Sequence, residues 1–546
     1  MGGLRGFIAN WIPAFARKSL GSSAFLKSTL AFIAGIVGAF GFAPYYVFTL
    51  LAVSFCVLLN LLFKAKSYRA AFMIGWAFGF GYFLAGLYWI AYPLIFYFLD
   101  TLWWLVPFAI LLIPAILALY HGVCASLLHR FNNGNPVAFS LLFLSLWVLF
   151  EILRNSLFTG FPWLIVGYSL ADRVELMQSA AWFGVFGLSV VALSAPTVLF
   201  LGLCAFRNKN WSKGLIAICT VLVALFATNA LYGWYRLNGA EIKLSSHNKI
   251  KLIQPNISTL LTRETMDENA DKIINLARFN LAEDKGLLYV VLPEGALSYF
   301  SGPKLNQLIQ RSVPTYGYLI GGGDRVDYSR RLAWNSAFVI NSEGSVLNVY
   351  DKTHLVPFGE YVPFRKELSV HLNAIVSNFT NDFIDFSRGG GPQTFLPETK
   401  FSFTPSICYE SLFAKDSINK EKLPNLLINF TTDKWYKTSS GPYQHFDMSR
   451  LRAVESGVPM IRAAITGVSG VVDPYGRVLG QLPLNEEGII SSYIPLALET
   501  KTFYITYGDT PIILLLVIIV IVAKLCEARR GTGYIHPSSS RMRGSS

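Results

Sequence analysis

Charge is scarce in this chain of 546 residues: Asp, Glu, Lys and Arg together make up 14%, against 53% hydrophobic and 15% aromatic residues. With a mean hydropathy of +0.44, that shortage excludes an ordinary soluble protein and places the chain in the membrane class. Acidic residues are the scarcer sign, 33 against 46 basic, for a formal net charge of +13. The basic residues are scattered or sit beside apolar runs, so the excess reads as a topology signal and an attraction to membrane lipid, with no nucleic-acid partner expected. Metal-ligand spacing is missing too: among the seven histidines, His354 and His445 included, none has a Cys or His at ligand spacing, and neither metal nor cofactor is expected. The stretch "GGGD" (321 to 324) lacks the Lys and Ser/Thr of a phosphate loop and reads as a turn. The first thirty residues end in no small-residue cleavage pattern, so they read as an uncleaved interfacial lead-in.

Long apolar runs are abundant. A hydrocarbon core of roughly 30 Å needs about 20 apolar residues, and such runs lie near 25 to 43, 45 to 63, 70 to 91, 102 to 128, 136 to 153, 179 to 206, 214 to 233 and 508 to 525. The expected layout is therefore a multi-pass helical membrane domain, 1 to 233 with seven helices, a folded domain at 234 to 507, an eighth helix at 508 to 525, and a disordered tail at 526 to 546. Basic clusters at Arg17/Lys18, Lys64/Lys66/Arg69, Arg130, Arg207/Lys209/Lys213 and Lys524/Arg529/Arg530 mark alternate connections. The positive-inside bias then puts both termini in the cytoplasm and the folded domain outside it.

Of six cysteines, Cys56, Cys124, Cys204 and Cys219 fall inside apolar runs and Cys526 ends the last one, which leaves Cys408 alone in the outer domain. An unpaired thiol in a disulfide-permitting compartment is either an inert core residue or a reactive one. Around it, strand-like runs such as "GLLYVVLPEGA", "NSAFVINSEGSVLNVYDK" and "KFSFTPSICYES" alternate with helical patterns at 264 to 284 and 442 to 457, which predicts a layered α/β domain with a hairpin turn at Ser342 to Gly344. Glu294 and Lys352 each come straight off an apolar strand, as Cys408 does. Singly, a charge there is more often a solvated strand end. Together the three make chemical sense: Glu294 takes the thiol proton, and the Lys352 ammonium stabilises both the thiolate and the oxyanion formed when Cys408 attacks.

These residues resemble the Glu, Lys, Cys set of the nitrilase, or carbon-nitrogen hydrolase, superfamily. More narrowly, the frame of eight spans resembles the membrane-bound apolipoprotein N-acyltransferase family. The matching stretches are "TGFPWL" with "GYS", "QPNI", "LPEGA", "WNSA", "YDKTHLVPFGEYVP", "FSRGGGPQ", "SICYES", "NFTTDKWY" and "GPYQHFDMSRLRAVESG". The chain departs from the family at "STLLTRE" after "QPNI", where many members carry an aromatic residue, and at "FTTDKWYKTSS", where a "SNDAWF" style is usual. The resemblance implies an extracytoplasmic α-β-β-α sandwich, with nucleophile Cys408, base Glu294 and stabilising Lys352, and supporting or substrate-binding roles for Asn335, Glu360, Tyr409, Glu410 and Trp435. It also implies the reaction: a phospholipid, phosphatidylethanolamine by expectation, acylates the thiol, and the thioester then acylates the amine of a diacylated apolipoprotein. The site would lie on the periplasmic face of the bacterial inner membrane, in a monomer without cofactor.

Both substrates are anchored in lipid, and drawing a dozen methylenes into water at about 0.8 kcal/mol each costs on the order of 10 kcal/mol. The site must therefore open onto the bilayer. The stretch 358 to 386 scatters Phe364, Phe379 and Phe383 through a loop-like region and reads as a membrane-facing lid. Two other readings compete. A membrane-tethered amidase acting on a small amide shares the three residues but has no need of eight spans. A transporter would want polar residues inside the spans, for which Glu151 is the main candidate.

Overall fold

The computed structural model describes residues 23–258, 263–278, 287–363, 385–396 and 401–531. Its N-terminal part is helical: α1 (Ser23–Ala39), α2 (Phe48–Phe63), α3 (Tyr68–Gly86), the short α4 (Tyr92–Tyr97), α5 (Val106–Arg130), α6 (Pro136–Ser156), α7 (Ala180–Asn208) and α8 (Lys213–Asn238). Four apolar helices are long enough to cross a bilayer, Trp103–Arg130, Pro136–Ser156, Ala180–Asn208 and Lys213–Asn238. A fifth stretch, Tyr68–Gly86 with Tyr88–Tyr97, is bent by 63°, and Ala24–Ala39, Phe48–Phe63 and Thr510–Ala523 are shorter apolar helices. The lead-in at 1–22 and the tail from 532 onward lie outside the described residues.

Local chemistry sets several helix starts. Asn135 accepts hydrogen bonds from the Val137 and Ala138 amides just ahead of Pro136, and Ser67 and Ser212 cap α3 and α8 in the same way. Close packing of α3 on α5 depends on glycine: a Cβ on Gly79 would lie 2.4 Å from His121 Nδ1. His121 itself is stacked between Phe83 and Trp147, with ring centroids 5.1 and 4.3 Å away. Glu151, the residue on which a transport reading rests, accepts from the Val166 amide at 2.8 Å and from Ser189 Oγ at 2.7 Å. Its carboxyl ties α6 to the turn at Val166–Leu170 and to α7.

Two sheets follow. The first has the order β11-β1-β2-β3-β4-β5 and the second β10-β9-β8-β7-β6, from strands β1 (Leu244–Gln254), β2 (Leu287–Val291), β3 (Tyr318–Asp327), β4 (Leu332–Asn341), β5 (Val346–Asp351), β6 (Phe403–Ile407), β7 (Leu426–Thr431), β8 (Met460–Ala464), β9 (Ser469–Val472), β10 (Val478–Leu482) and β11 (Gly488–Pro495). β1, β2 and β3 are parallel, as are β6, β7 and β8, and the outer strands join antiparallel. The hairpin expected around Ser342 to Gly344 is β4–β5, with Gly344 at φ +85. A core containing Ile250, Val291, Ile320, Ile407, Phe430 and Ile461 fills the space between the sheets. α9 (Arg263–Arg278) and α10 (Gly302–Ser312) cover the first sheet, and α11 (Gly441–Ser456) covers the second. The layers run α-β-β-α. On its other side α11 adds Met448, Leu451 and Val454 to the core of the helical part. α12 (Phe503–Tyr507) and α13 (Thr510–Gly531) return the chain to those helices, where α13 packs beside α6.

Candidate active site

The parallel strands deliver their C-terminal ends to one region, where layered α/β folds place chemistry. β2 is buried and leads into Pro293 and Glu294, and β3 runs beside it so tightly that a Cβ on Gly322 would lie 2.6 Å from Glu294 Cα. The "GGGD" stretch read above as a turn is therefore strand. Its glycines remove side chains so that the Glu294 backbone can cross it, and a run without side chains carries no alternating pattern to betray a strand.

Glu294, Lys352 and Glu360 are brought together. Lys352 Nζ, 1% exposed, lies 2.8 Å from Glu360 Oε1 and 3.7 Å from Glu294 Oε1. Asn335, on β4, donates from Nδ2 to Glu294 Oε1 at 2.7 Å and to Glu360 Oε1 at 3.0 Å. Glu360 Oε2 accepts the Val356 amide at 2.8 Å, which anchors the loop. Burial pushes the Glu294 carboxyl above its usual range, opposed by Lys352, Asn335 and the Thr432 amide. Its Oε2 makes no well-formed hydrogen bond among the described residues, leaving one lone-pair face open to a proton. Burial works against the Lys352 ammonium, but Glu360, Glu294 and Cys408 outweigh it and hold the group protonated above its ordinary range.

Cys408 follows β6 at the start of a tight turn, Cys408–Leu412, with φ +51. A non-glycine residue in the left-handed region is strained and persists only where its surroundings hold it. Glu410 does part of that work: Oε2 accepts from the Ile407 amide at 2.7 Å, and Oε1 from the amides of Thr353 and His354 and from Tyr350 Oη. Burial lifts the Cys408 thiol to about 12; Glu294 adds to the shift and Lys352 opposes it. The resting site therefore holds a neutral thiol beside a fixed ammonium.

Expected supporting residues are placed variously. Tyr409 turns away toward the helical part, its Oη donating to Gly160 O at 2.8 Å and its ring stacked on Trp163 at 5.8 Å. Trp435 lies half-buried against Tyr97 of α4, ring centroids 5.2 Å apart. Phe364, Phe379 and Phe383 lie outside the described residues. The histidines set aside for metal binding have other partners. His354 lies 2.7 Å from Asp416 Oδ2 and 2.8 Å from Thr159 O. His445 lies 2.9 Å from Asp433 Oδ1 and 3.2 Å from Cys408 O. Asp433, overlooked above, also takes Arg462 Nη2 on Oδ2 at 2.9 Å. Although burial opposes its charge, Arg462 and His445 bring its carboxyl down to about 2. A signal was present: "LLINFTTD" delivers Asp433 off an apolar strand just as "YVVLPEG" delivers Glu294.

The helical part completes the walls. Trp89 packs on Tyr436 at 4.6 Å and on Trp163 at 5.1 Å, and its Nε1 donates to Gln444 Oε1 at 3.3 Å. Next to the thiol turn, aromatic faces from the helical part thus meet carboxylates and an ammonium from the sheets. Such a site suits attack on an acyl carbon carried by a greasy substrate.

Residues 34–198 match the family described as "Apolipoprotein N-acyltransferase N-terminal domain", and residues 249–503 match "Carbon-nitrogen hydrolase". A protein of Rickettsia typhi named apolipoprotein N-acyltransferase is 33% identical over 503 residues, covering 91% of this chain and 97% of its own length. One of Rickettsia bellii with the same name shows the same identity and coverage. Among solved structures, a mutant amidase from Nesterenkonia sp. AN1 is 18% identical with a TM-score of 0.35, covering 49% of this chain and 98% of its own.

Proposed function

The chain belongs to the apolipoprotein N-acyltransferase family, and from that premise we propose that it moves an acyl chain from a membrane phospholipid, through a thioester on Cys408, to the N-terminal amine of a diacylglyceryl-cysteine apolipoprotein. The observation that carries this reading is the electrostatic coupling of Cys408, on its strained turn, to Glu294 and Lys352 of the buried Glu294–Lys352–Glu360 cluster, under aromatic walls from the helical part. In the first half-reaction Glu294 removes the thiol proton as sulfur attacks the ester carbonyl. Lys352 stabilises the tetrahedral oxyanion, and the departing lysophospholipid alkoxide takes the proton back from Glu294. In the second, the acceptor amine attacks the thioester carbon, Glu294 takes the amine proton, and as the C–S bond breaks the leaving sulfur takes that proton from Glu294, restoring the thiol and the carboxylate. Because burial raises the thiol above its ordinary range, proton removal by Glu294 accompanies attack.

The same proposal extends to topology. The four long apolar helices, the bent pair and the three shorter ones are read as eight spans, bounding a membrane domain at 1–233, a periplasmic catalytic domain at 234–507, a last span at 508–525 and a cytoplasmic tail. Lysines and arginines at alternate connections support both termini lying in the cytoplasm. The small-amide reading gains no support from the relatives, whose names specify transfer to an apolipoprotein.

Intact mass after incubation with phosphatidylethanolamine tests the reading. One added acyl mass is expected, absent in Cys408→Ala and discharged by a diacylated peptide amine more readily than by water. Hydrolysis of small amides without an acyl adduct would overturn it.

A further inference from the structure

Next to the thiol turn, lined by residues that include Leu412 and Phe413, lies a cavity of about 330 Å³ whose walls contain none of Glu294, Lys352 and Cys408. Its walls come from the end of α6, the turn at Val166–Leu170, α7, the segment 412–420, Arg452 of α11, and the residues that begin α13. Three cations line it, Lys415, Lys420 and Arg452, against one acid, Asp509.

Arg452 is 4% exposed. Its Nη1 lies 2.9 Å from Glu455 Oε2 and its Nη2 donates to Tyr168 Oη at 3.1 Å, whereas Nε has no hydrogen-bond partner among the described residues. A buried guanidinium N–H without an acceptor costs free energy comparable to a lost hydrogen bond, and here it belongs to a residue that lines a cavity able to hold an acceptor. Lys415 and Lys420 are exposed and have no ion pair among the described residues. Lys420 Nζ reaches to 3.4 Å from the Cβ position of Gly508, beside the start of α13. Asp509 is partly satisfied by Tyr504 Oη at 2.9 Å.

The surroundings indicate what brings the acceptor. Beyond the lining residue Ile513, α13 exposes Leu514 and Ile518; at the other wall, Leu153 of α6 and Leu157 just after it are exposed on either side in sequence of the lining residues Asn155 and Ser156. Phe158, two residues after the lining residue Ser156, is 94% exposed at φ +61. Cationic groups at the mouth of a groove between two apolar helices match a lipid with an anionic head and paired chains.

We propose that this cavity binds the phosphate of an anionic membrane phospholipid, a lipid other than the acyl donor, with its chains along α6 and α13. The reading rests on the membrane placement proposed above. Because Leu412 and Phe413 form part of the wall and Phe413 stacks on His354 at 4.1 Å, an occupied site braces the segment that follows the nucleophile.

The test uses the full-length enzyme in a phosphorus-free detergent. Wild type and Lys415→Ala/Lys420→Ala are titrated with dioctanoyl-phosphatidylglycerol and, separately, with inorganic phosphate, reading the midpoint of thermal unfolding and, by native mass spectrometry, bound lipid. A saturable rise in wild type with one retained lipid per chain is expected, with half-saturation at least about tenfold higher in the double variant and no comparable rise with inorganic phosphate. Equal half-saturation in the two proteins overturns the site, and an equal shift with inorganic phosphate overturns its assignment to a lipid. Lys420→Met, which keeps the stem and loses the charge, repeats the comparison should the double variant be unstable. Thioester formation on Cys408 is read in the same samples, so a failure of the acyl-transfer proposal registers separately.

Discussion

Glu294 and Glu360 share one ammonium and one amide, an arrangement that sets how each behaves. Glu360 spends one oxygen on Lys352 and the other on the Val356 amide, whereas Glu294 keeps Oε2 open, as the role of base proposed for it requires. Asn335 holds the two apart in role by donating to both. Its bond favours the ionised form of Glu294; without it the carboxyl titrates higher, and the base is lost to protonation at a higher pH. Asn335→Ala should therefore slow single-turnover acylation roughly ten- to hundredfold, taking its bond to the Glu294 carboxylate alone at about 1.5–3 kcal/mol, and shift the acid limb of the rate profile upward in pH. Acylation rates across pH check both, and an unchanged limb with a slower rate would assign Asn335 a packing role only.

At the scale of elements, the thiol turn leans on the loop Thr159–Trp163 between α6 and α7. Gly160 sits at φ +79, where a Cβ would lie 2.2 Å from Asn155 O, and its carbonyl receives Tyr409 Oη. Gly160→Ala should lower the unfolding midpoint by several degrees, from a strain of about 1–3 kcal/mol, and lower acylation with it. Gly202→Ala in α7, whose added Cβ meets nothing within 4 Å, should leave both unchanged or raise the midpoint slightly. The charged strand ends were legible only as a set: singly each reads as a solvated strand end, but a carboxylate, an ammonium and a lone thiol, each directly after an apolar run, make chemical sense together. The sequence also showed the helices near 264 to 284 and 442 to 457, since their periodicity is local; the structure has them at Arg263–Arg278 and Gly441–Ser456. Hidden from it were the directions of Tyr409 and Glu410, neighbours of Cys408 that a tight turn sends elsewhere, one to Gly160 and the other into backbone amides. The bend after Gly86 was hidden too, because "LYWIAYPL" continues the apolar run without a break in composition.

Across the whole molecule, polar bonds join the α/β layers to the helical part: Tyr46 Oη donates to Asp447 of α11 at 2.6 Å, Trp89 to Gln444 of the same helix, and His354, in the loop after β5, meets Thr159 O. Each uses a buried or half-buried group; breaking one leaves a polar atom unsatisfied, so the catalytic layers are fixed against the helices at those points and are not merely tethered by the chain. A fixed docking suits substrates that cannot leave the bilayer, since each methylene drawn into water costs about 0.8 kcal/mol and the thiol must come to the lipid. It also makes sidedness decisive, because a site held at one face of the membrane can use only the lipid and lipoprotein presented there. In cells carrying Cys526→Ser, Tyr328→Cys at the exposed β3–β4 tip should react with a membrane-impermeant maleimide in intact spheroplasts. Lys66→Cys, in the basic connection between α2 and α3, should react only after permeabilisation. The reverse pattern would place the sheets in the cytoplasm and overturn the outward-facing site.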